Sequence, residues 1–476
     1  MKIEIRKHKY ILIQIFFLLI SVISFDLIES SIEFSFVSFI ALIYFLCTIC
    51  SLVCYQKKFF TAINCFYCVY VLFQIGVPLL YAVIPKYSNP YMSLFSEDIL
   101  VNALEYTLLS LEIFGLTIFV FLRSGKRNYS SRVVFTKKKA VNDERYVYAV
   151  AKALFICTGM VNVPLYTVVA YLTLKTGFSQ VTRALVAANG LFNLARALFI
   201  PAFFLLIIYG EDKKFTKFSK LVFFYMCIAS LLSGIRTDGI LWLLTYLYTS
   251  IKKGDKKKLN IKYLVLLVGI VVVAIYVGQS RVGSTVGSSV VDVFVKVVEE
   301  MGFNFTTICF VMMYVPSSTK FQMGGTYLKS ILAMYPNSLD FLGIFRNIEN
   351  TIGCQWLNDQ NHVRFGSLLD FGSGFSAIGE SYMNFGWGGI LVSCVIAIIV
   401  TSLYVDGKNV VSKWDKFVET VLFLALLTFP RRAFNEFVSN IEYSIFIIGL
   451  ILIVMYHKRF VGIKNNENQV DFYVCD

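Results

Sequence analysis

The residues of this chain best suited to chemistry are a set of arginines expected on its outer side: Arg183, Arg196, Arg236, Arg281, Arg346, Arg364, Arg431 and Arg432. A guanidinium is always charged and grips phosphate oxygens in a bidentate fork, so such a set suits recognition of a diphosphate. Arg236 and Arg281 directly follow apolar spans, at the depth where a lipid-borne diphosphate would lie. The alternative for any one of them is an interfacial anchor that snorkels to headgroups. Arg431 and Arg432 are adjacent and follow Phe429-Pro430; if they lie outside, the pair runs against the charge rule of membrane proteins, and an anionic ligand would explain it.

The carboxylates Asp238, Asp370 and Glu380 can accept a proton from a sugar hydroxyl. Glu380 is the most suggestive, because the passage Gly372 to Gly389 combines glycines that admit close backbone approach with aromatics that can stack on sugar rings. A helix-capping role at the membrane entry competes with that reading. The candidate catalytic groups are therefore Glu380, Asp238 and Arg281, and the candidate substrate-binding groups Arg236, Arg364, Arg431, Arg432, His362 and Arg183.

Several mechanisms are excluded by what the sequence lacks. No GxxxxGK[ST] phosphate loop is present, which argues against nucleotide hydrolysis. No DxD, ExD or DxE triplet offers a paired carboxylate for a divalent ion, and the three histidines, His8, His362 and His457, are too few for a histidine-based zinc site. Cys47/Cys50 and Cys65/Cys68 have CxxC spacing but sit within apolar spans, where packing is the simpler role. No metal and no cofactor are expected.

The elements that must position these groups follow from composition. With 57% hydrophobic and 16% charged residues among 476, and a mean hydropathy of +0.69, the chain is too apolar for a soluble domain. The expected fold is all-α, a polytopic membrane protein of about twelve transmembrane helices with short helices in a large extracytoplasmic loop. Spans are read near 10–27, 33–54, 59–84, 98–122, 146–174, 191–210, 220–234, 239–251, 262–280, 387–404, 416–430 and 437–457. The first follows a basic start and is read as a retained helix. The pair 220–234 and 239–251 is read as a hairpin because lysines flank it on both sides and require an even number of passes.

Most of the 44 Lys and Arg fall in alternate loops, so that both termini are expected in the cytoplasm and residues 281–386 outside. Basic residues in short loops beside apolar spans are a topology signal, and no nucleic-acid partner is implied. The chain divides into an N-terminal bundle at 1–280, the outer loop at 281–386, and C-terminal helices with a cytoplasmic tail at 387–476. Within the loop, 290–314 has helical periodicity and is read as an interfacial or re-entrant helix, with a second helix at 324–345.

Ser233 to Arg236 opening an outer hairpin, a long external loop before the last spans, the passage Gly374 to Gly389 leading into a helix, and Phe429 to Arg432 between the final two spans together resemble the oligosaccharide repeat-unit polymerases of bacterial surface polysaccharides, the O-antigen or Wzy-type polymerases. The resemblance covers the whole topology through a few short motifs. It implies a glycosyltransferase that moves a glycan from undecaprenyl diphosphate to the nonreducing-end hydroxyl of another lipid-linked repeat unit, at the outer face of the bacterial cytoplasmic membrane. It also implies membrane lipid and a chain-length regulator protein as partners. Outer arginines would then hold the donor diphosphate, and Glu380 or Asp238 would activate or orient the acceptor. An O-antigen ligase is close in chemistry. A repeat-unit flippase or other secondary transporter would account for Glu105 and Glu112, seven residues apart in the fourth span, but would not need the long loop.

Overall fold

The computed structural model describes residues 2–27, 33–59, 61–84, 86–122, 137–176, 190–233, 236–253, 290–332, 353–366, 374–404 and 412–453. The regular elements among them are all helical. Among the described residues, eight helices are long and apolar enough to cross a membrane: His8–Phe25, Phe34–Gln56, Ala62–Val83, Glu97–Phe121, Glu144–Lys175, Lys213–Leu232, Ala377–Ser402 and Phe434–Ile453. The protein is thus an all-α, multi-pass membrane protein. The span expected at 262–280 lies outside the described residues.

The chain forms two compact units. The first contains α1 (Lys2–Leu27), α2 (Phe34–Gln56), α3 (Ala62–Val83) and α4 (Glu97–Phe121), then the loop and late elements up to 409, and the segment 423–438. The second contains α5 (Lys137–Thr176), α6 (Gly190–Tyr209), α7 (Lys213–Leu232) and α8 (Arg236–Lys253), with residues 410–422 and those from 439 onward. In the second unit Asn162 Nδ2 donates to the Ala195 carbonyl at 2.9 Å, tying α5 to α6. Phe203 of α6 stacks on Phe223 of α7 with ring centroids 4.0 Å apart. Helices α7 and α8 are distinct and packed on each other; α7 is one of the long apolar helices and α8 is not.

In the first unit a polar core holds α1, α2 and α4 together. Tyr44 donates to Leu111 O at 2.9 Å, Gln14 Nε2 to Thr48 Oγ1 at 3.1 Å, and Ser21 Oγ to Glu112 Oε1 at 2.5 Å. In a low-dielectric interior such bonds are strong, and each fixes a helix register. Glu112 thus bonds α1 through one oxygen, while its buried Oε2 has no partner among the described residues.

The periodic stretch 290–314 is two helices, α9 (Val290–Gly302) and α10 (Phe305–Tyr314), broken at Phe303 and Asn304. The break has a packing cause. Gly302 lies against the backbone of α3, where an added Cβ would collide with Gly76 and the Val77 nitrogen. Asn304 turns its side chain into the core, at 4% exposure. Helix α9 carries Val291 and Phe294 exposed, as expected of an interfacial helix, whereas α10 is almost wholly buried against α3 and α4. Beyond them lie α11 (Gly325–Leu332), α12 (Cys354–Phe365), α13 (Ala377–Phe385), a 3₁₀ segment Gly386–Leu391 and α14 (Val392–Tyr404). The second loop helix is α11, and the rest of the expected 324–345 lies outside the described residues. Two final helices are α15 (Lys413–Thr428) and α16 (Phe434–Ile441).

Overpacking a close helix crossing costs about 1–3 kcal/mol, so Gly302→Ala should lower the thermal unfolding temperature of the detergent-solubilised protein measurably. Gly388→Ala, with open space around its Cβ position, should not; equal melting curves for the two variants would contradict the crossing.

Candidate active site

Helix α15 ends at Thr428, a single 3₁₀ turn runs Phe429–Arg431, and α16 begins at Phe434. Pro430 favours this geometry because its ring presets φ at the start of a turn. The arginine pair thus sits on a short connector between two helices, and buried polar side chains fix that connector on both sides.

On the N-terminal side the Pro430 carbonyl accepts from Gln74 Nε2 at 2.6 Å and from Asn304 Nδ2 at 3.1 Å. Gln74 is presented by a kinked stretch of α3: Ile75 leaves helical geometry, and Pro78 cannot donate to the Gln74 carbonyl four residues earlier. Gln74 Oε1 in turn accepts from Ser376 Oγ at 2.7 Å, and Ser376 caps α13 by accepting from Gly379 N at 3.2 Å. Gln74 and Ser376 are 0% exposed.

On the C-terminal side stands Glu380, in the first turn of α13 and 0% exposed. Its Oε2 accepts from the Phe434 backbone N–H at 2.7 Å, and its Oε1 from Thr326 Oγ1 at 2.7 Å. The carboxylate therefore caps the N-terminus of α16, where a negative charge meets the positive end of the helix dipole. It also anchors α11. Asn384, one turn further along α13, donates to Thr326 Oγ1 at 2.7 Å, and the Gln322 and Met323 N–H groups bond Met383 O at 3.0 Å and Asn384 O at 2.9 Å. The 3₁₀ segment folds tightly back at Gly389, where a side chain would strike Ser381 O and the Tyr106 hydroxyl.

Arg431 is exposed, and Arg432 pairs with Glu436 one turn away at 2.8 Å, with side chains 31% and 38% exposed. An exposed pair of this kind contributes only about 0.3–0.5 kcal/mol. Helix α12 starts at the same place: a Cβ on Gly353 would lie 2.8 Å from that of Ala433. Burial pushes the Cys354 thiol up, with Glu436 adding to the effect and Arg432 opposing it.

His362 and Arg364 are exposed at the far end of α12, about 12–15 Å along its axis from Cys354 at 1.5 Å per residue. Tyr314 donates to Asn361 Oδ1 at 2.9 Å and holds α12 on α10. The Arg364 guanidinium lies 6.0 Å from the Tyr314 ring centre, and burial pushes the Tyr314 phenol up to about 12 although Arg364 acts the other way.

Of the residues singled out from sequence, the structure brings together Glu380, Arg431 and Arg432; His362 and Arg364 stand one helix length off. Arg236 and Asp238 open α8 in the second unit, with Asp238 half-buried and only the backbone of Arg236 described. Arg183, Arg281, Arg346 and Asp370 lie outside the described residues. Sequence reasoning missed Gln74, Asn304, Thr326, Ser376 and Asn384. Gln74 carried a faint signal, a carboxamide inside an apolar span, and Asn384 another, its i+4 spacing from Glu380.

These features define a multi-pass α-helical membrane protein with a preorganised cationic turn between its last helices. The chain belongs to the O-antigen polysaccharide polymerase Wzy family, whose model matches residues 10–464. It is therefore a glycan polymerase of the O-antigen repeat-unit type, acting on lipid-linked oligosaccharide repeat units in the membrane. No curated protein and no solved structure matches the chain.

Removing the Glu380 carboxylate leaves two buried donors unsatisfied, at about 1–3 kcal/mol each. Glu380→Ala should therefore melt well below wild type and Glu380→Gln, which retains an acceptor for Phe434 N–H, should fall between them. Equal melting temperatures for Ala and wild type would show that the capping contact is not made.

Proposed function

We propose that the Arg431–Arg432 turn holds the diphosphate of the glycan donor at the outer face of the bacterial cytoplasmic membrane, with undecaprenyl as the lipid. Loop charge supports this placement: basic loops on the other side make both termini cytoplasmic and put 281–386 outside. The acceptor, a second lipid-linked repeat unit, offers its nonreducing-end hydroxyl. Its oxygen bonds the donor's anomeric carbon as the bond to the diphosphate breaks; the electron pair leaves with the diphosphate, and the hydroxyl proton passes to solvent or the leaving group. Two guanidinium groups stabilise the charge that develops there. In this reading the reaction needs neither nucleotide nor metal.

The observation that carries the reading is the clamping of the turn from both sides by buried hydrogen bonds. Electrostatic stabilisation works best when donors are fixed before reaction, so that no reorganisation is required at the transition state. Glu380, fully buried with both oxygens engaged, fits a positioning residue better than a proton acceptor. Arg236, Arg281, Arg183, Arg364, His362 and Asp238 remain candidate contacts for the rest of the substrate, the outer loop serves as the acceptor-side wall, and a chain-length regulator is the expected protein partner.

In a strain lacking this gene, single repeat units on the surface acceptor would support a polymerase; loss of all external units would favour a flippase, and unattached long polymer a ligase. Complementation with Arg431→Ala or Arg432→Ala should give about a hundredfold less polymer, read on polysaccharide gels with protein level checked by immunoblot. Full-length polymer from both variants would sink the diphosphate role.

A further inference from the structure

Tyr327 follows Thr326 on α11, and its hydroxyl is buried with no hydrogen-bond partner among the described residues. A buried phenol almost always finds a partner, so one without calls for an explanation. The ring is held firmly: it stacks on Phe385 with centroids 6.2 Å apart and meets Phe434 edge-on at 5.3 Å. The orphan hydroxyl is therefore not a product of a loose side chain. Burial pushes its pKa well up, with the Glu380 carboxylate adding to the effect, so the group is a permanent donor beside a carboxylate.

The surroundings select the ligand. Glu380 offers no positive charge to offset the burial of a phosphate oxygen at this spot. Phe385, stacked on Tyr327, and Trp387, two residues on, stand 41% and 45% exposed and offer apolar faces of the kind that sugar rings cover. Arg431 and Arg432 immediately precede Ala433 and Phe434, and the Phe434 N–H donates to Glu380. Helix α11 is short, and the residues before it, Met323 and Gly324, have φ of 48° and 84°. Ligand access to the hydroxyl requires α11 to part from α13 at the bonds made by Thr326 and Met323.

We propose that the Tyr327 hydroxyl is a substrate contact that donates a hydrogen bond to a neutral saccharide oxygen of the lipid-linked repeat unit, next to the diphosphate held by the arginine turn. This rests on the polymerase reading above and adds to it a residue that binds the sugar. Leaving the donor unpaired in the empty site makes the closed arrangement less stable than it could be, and the ligand oxygen relieves that.

The test is Tyr327→Phe in the full-length protein, assayed with lipid-linked repeat units extracted from a polymerase-deficient strain of the same host. Because the hydroxyl bonds nothing in the empty protein, the melting temperature should stay the same or rise, while kcat/KM should drop about tenfold, the worth of one hydrogen bond. A lowered melting temperature would overturn the proposal, since the hydroxyl would then have a structural partner. An unchanged kcat/KM would also overturn it. Arg431→Ala and Arg432→Ala in the same assay separate the two ideas: if they are inactive while Tyr327→Phe is normal, only the sugar contact fails, and if they too are normal the diphosphate reading fails with it.

Discussion

One carboxylate, Glu380, joins three pieces of chain that have no covalent reason to meet. It accepts from the backbone of Phe434 and from the hydroxyl of Thr326, and it sits on α13 itself. In the interior of a membrane protein water cannot substitute for a lost partner, so a buried carboxylate must have its donors supplied by the fold. Supplying them fixes where α16 starts and where α11 lies. The Pro430 carbonyl, bonded by Gln74 and Asn304, fixes the other end of the same connector. Arg431 and Arg432 project from between these two points.

This arrangement solves a problem that cationic sites in membranes face. A guanidinium pair on a flexible loop would collapse onto lipid headgroups or onto the nearest carboxylate. Here the backbone is held by neutral side chains and by a carboxylate that is already engaged. Arg431 is exposed, and Arg432 makes a half-exposed ion pair with Glu436, a contact worth about 0.3–0.5 kcal/mol.

How much of this was legible in the sequence varies with the range of the interactions. Apolar runs long enough to span a membrane identify most helices, because composition over about twenty residues is a local property. The adjacent arginines after Phe429-Pro430 stood out because they conflict with the charge pattern around them. The break between α9 and α10 was not legible: helical periodicity runs through it, and only the close approach of Gly302 to α3 and the inward turn of Asn304 impose it. Glu380 was picked for the glycines and aromatics around it, yet its role is set by partners 54 residues away in each direction. Gln74 bonds a carbonyl 356 residues further on. Contacts of that range leave no periodic or local trace in one sequence.

A double-mutant cycle measures directly whether the buried clamps act on polymerisation by positioning the arginines. Gln74→Leu, Arg431→Ala and the double variant would be compared by initial rate of polymer formation at matched protein level. If Gln74 acts through the turn, its substitution should slow the wild-type background and add little once Arg431 is gone. Fully additive losses would contradict the account, because Gln74 would then act on stability or on some other part of the site.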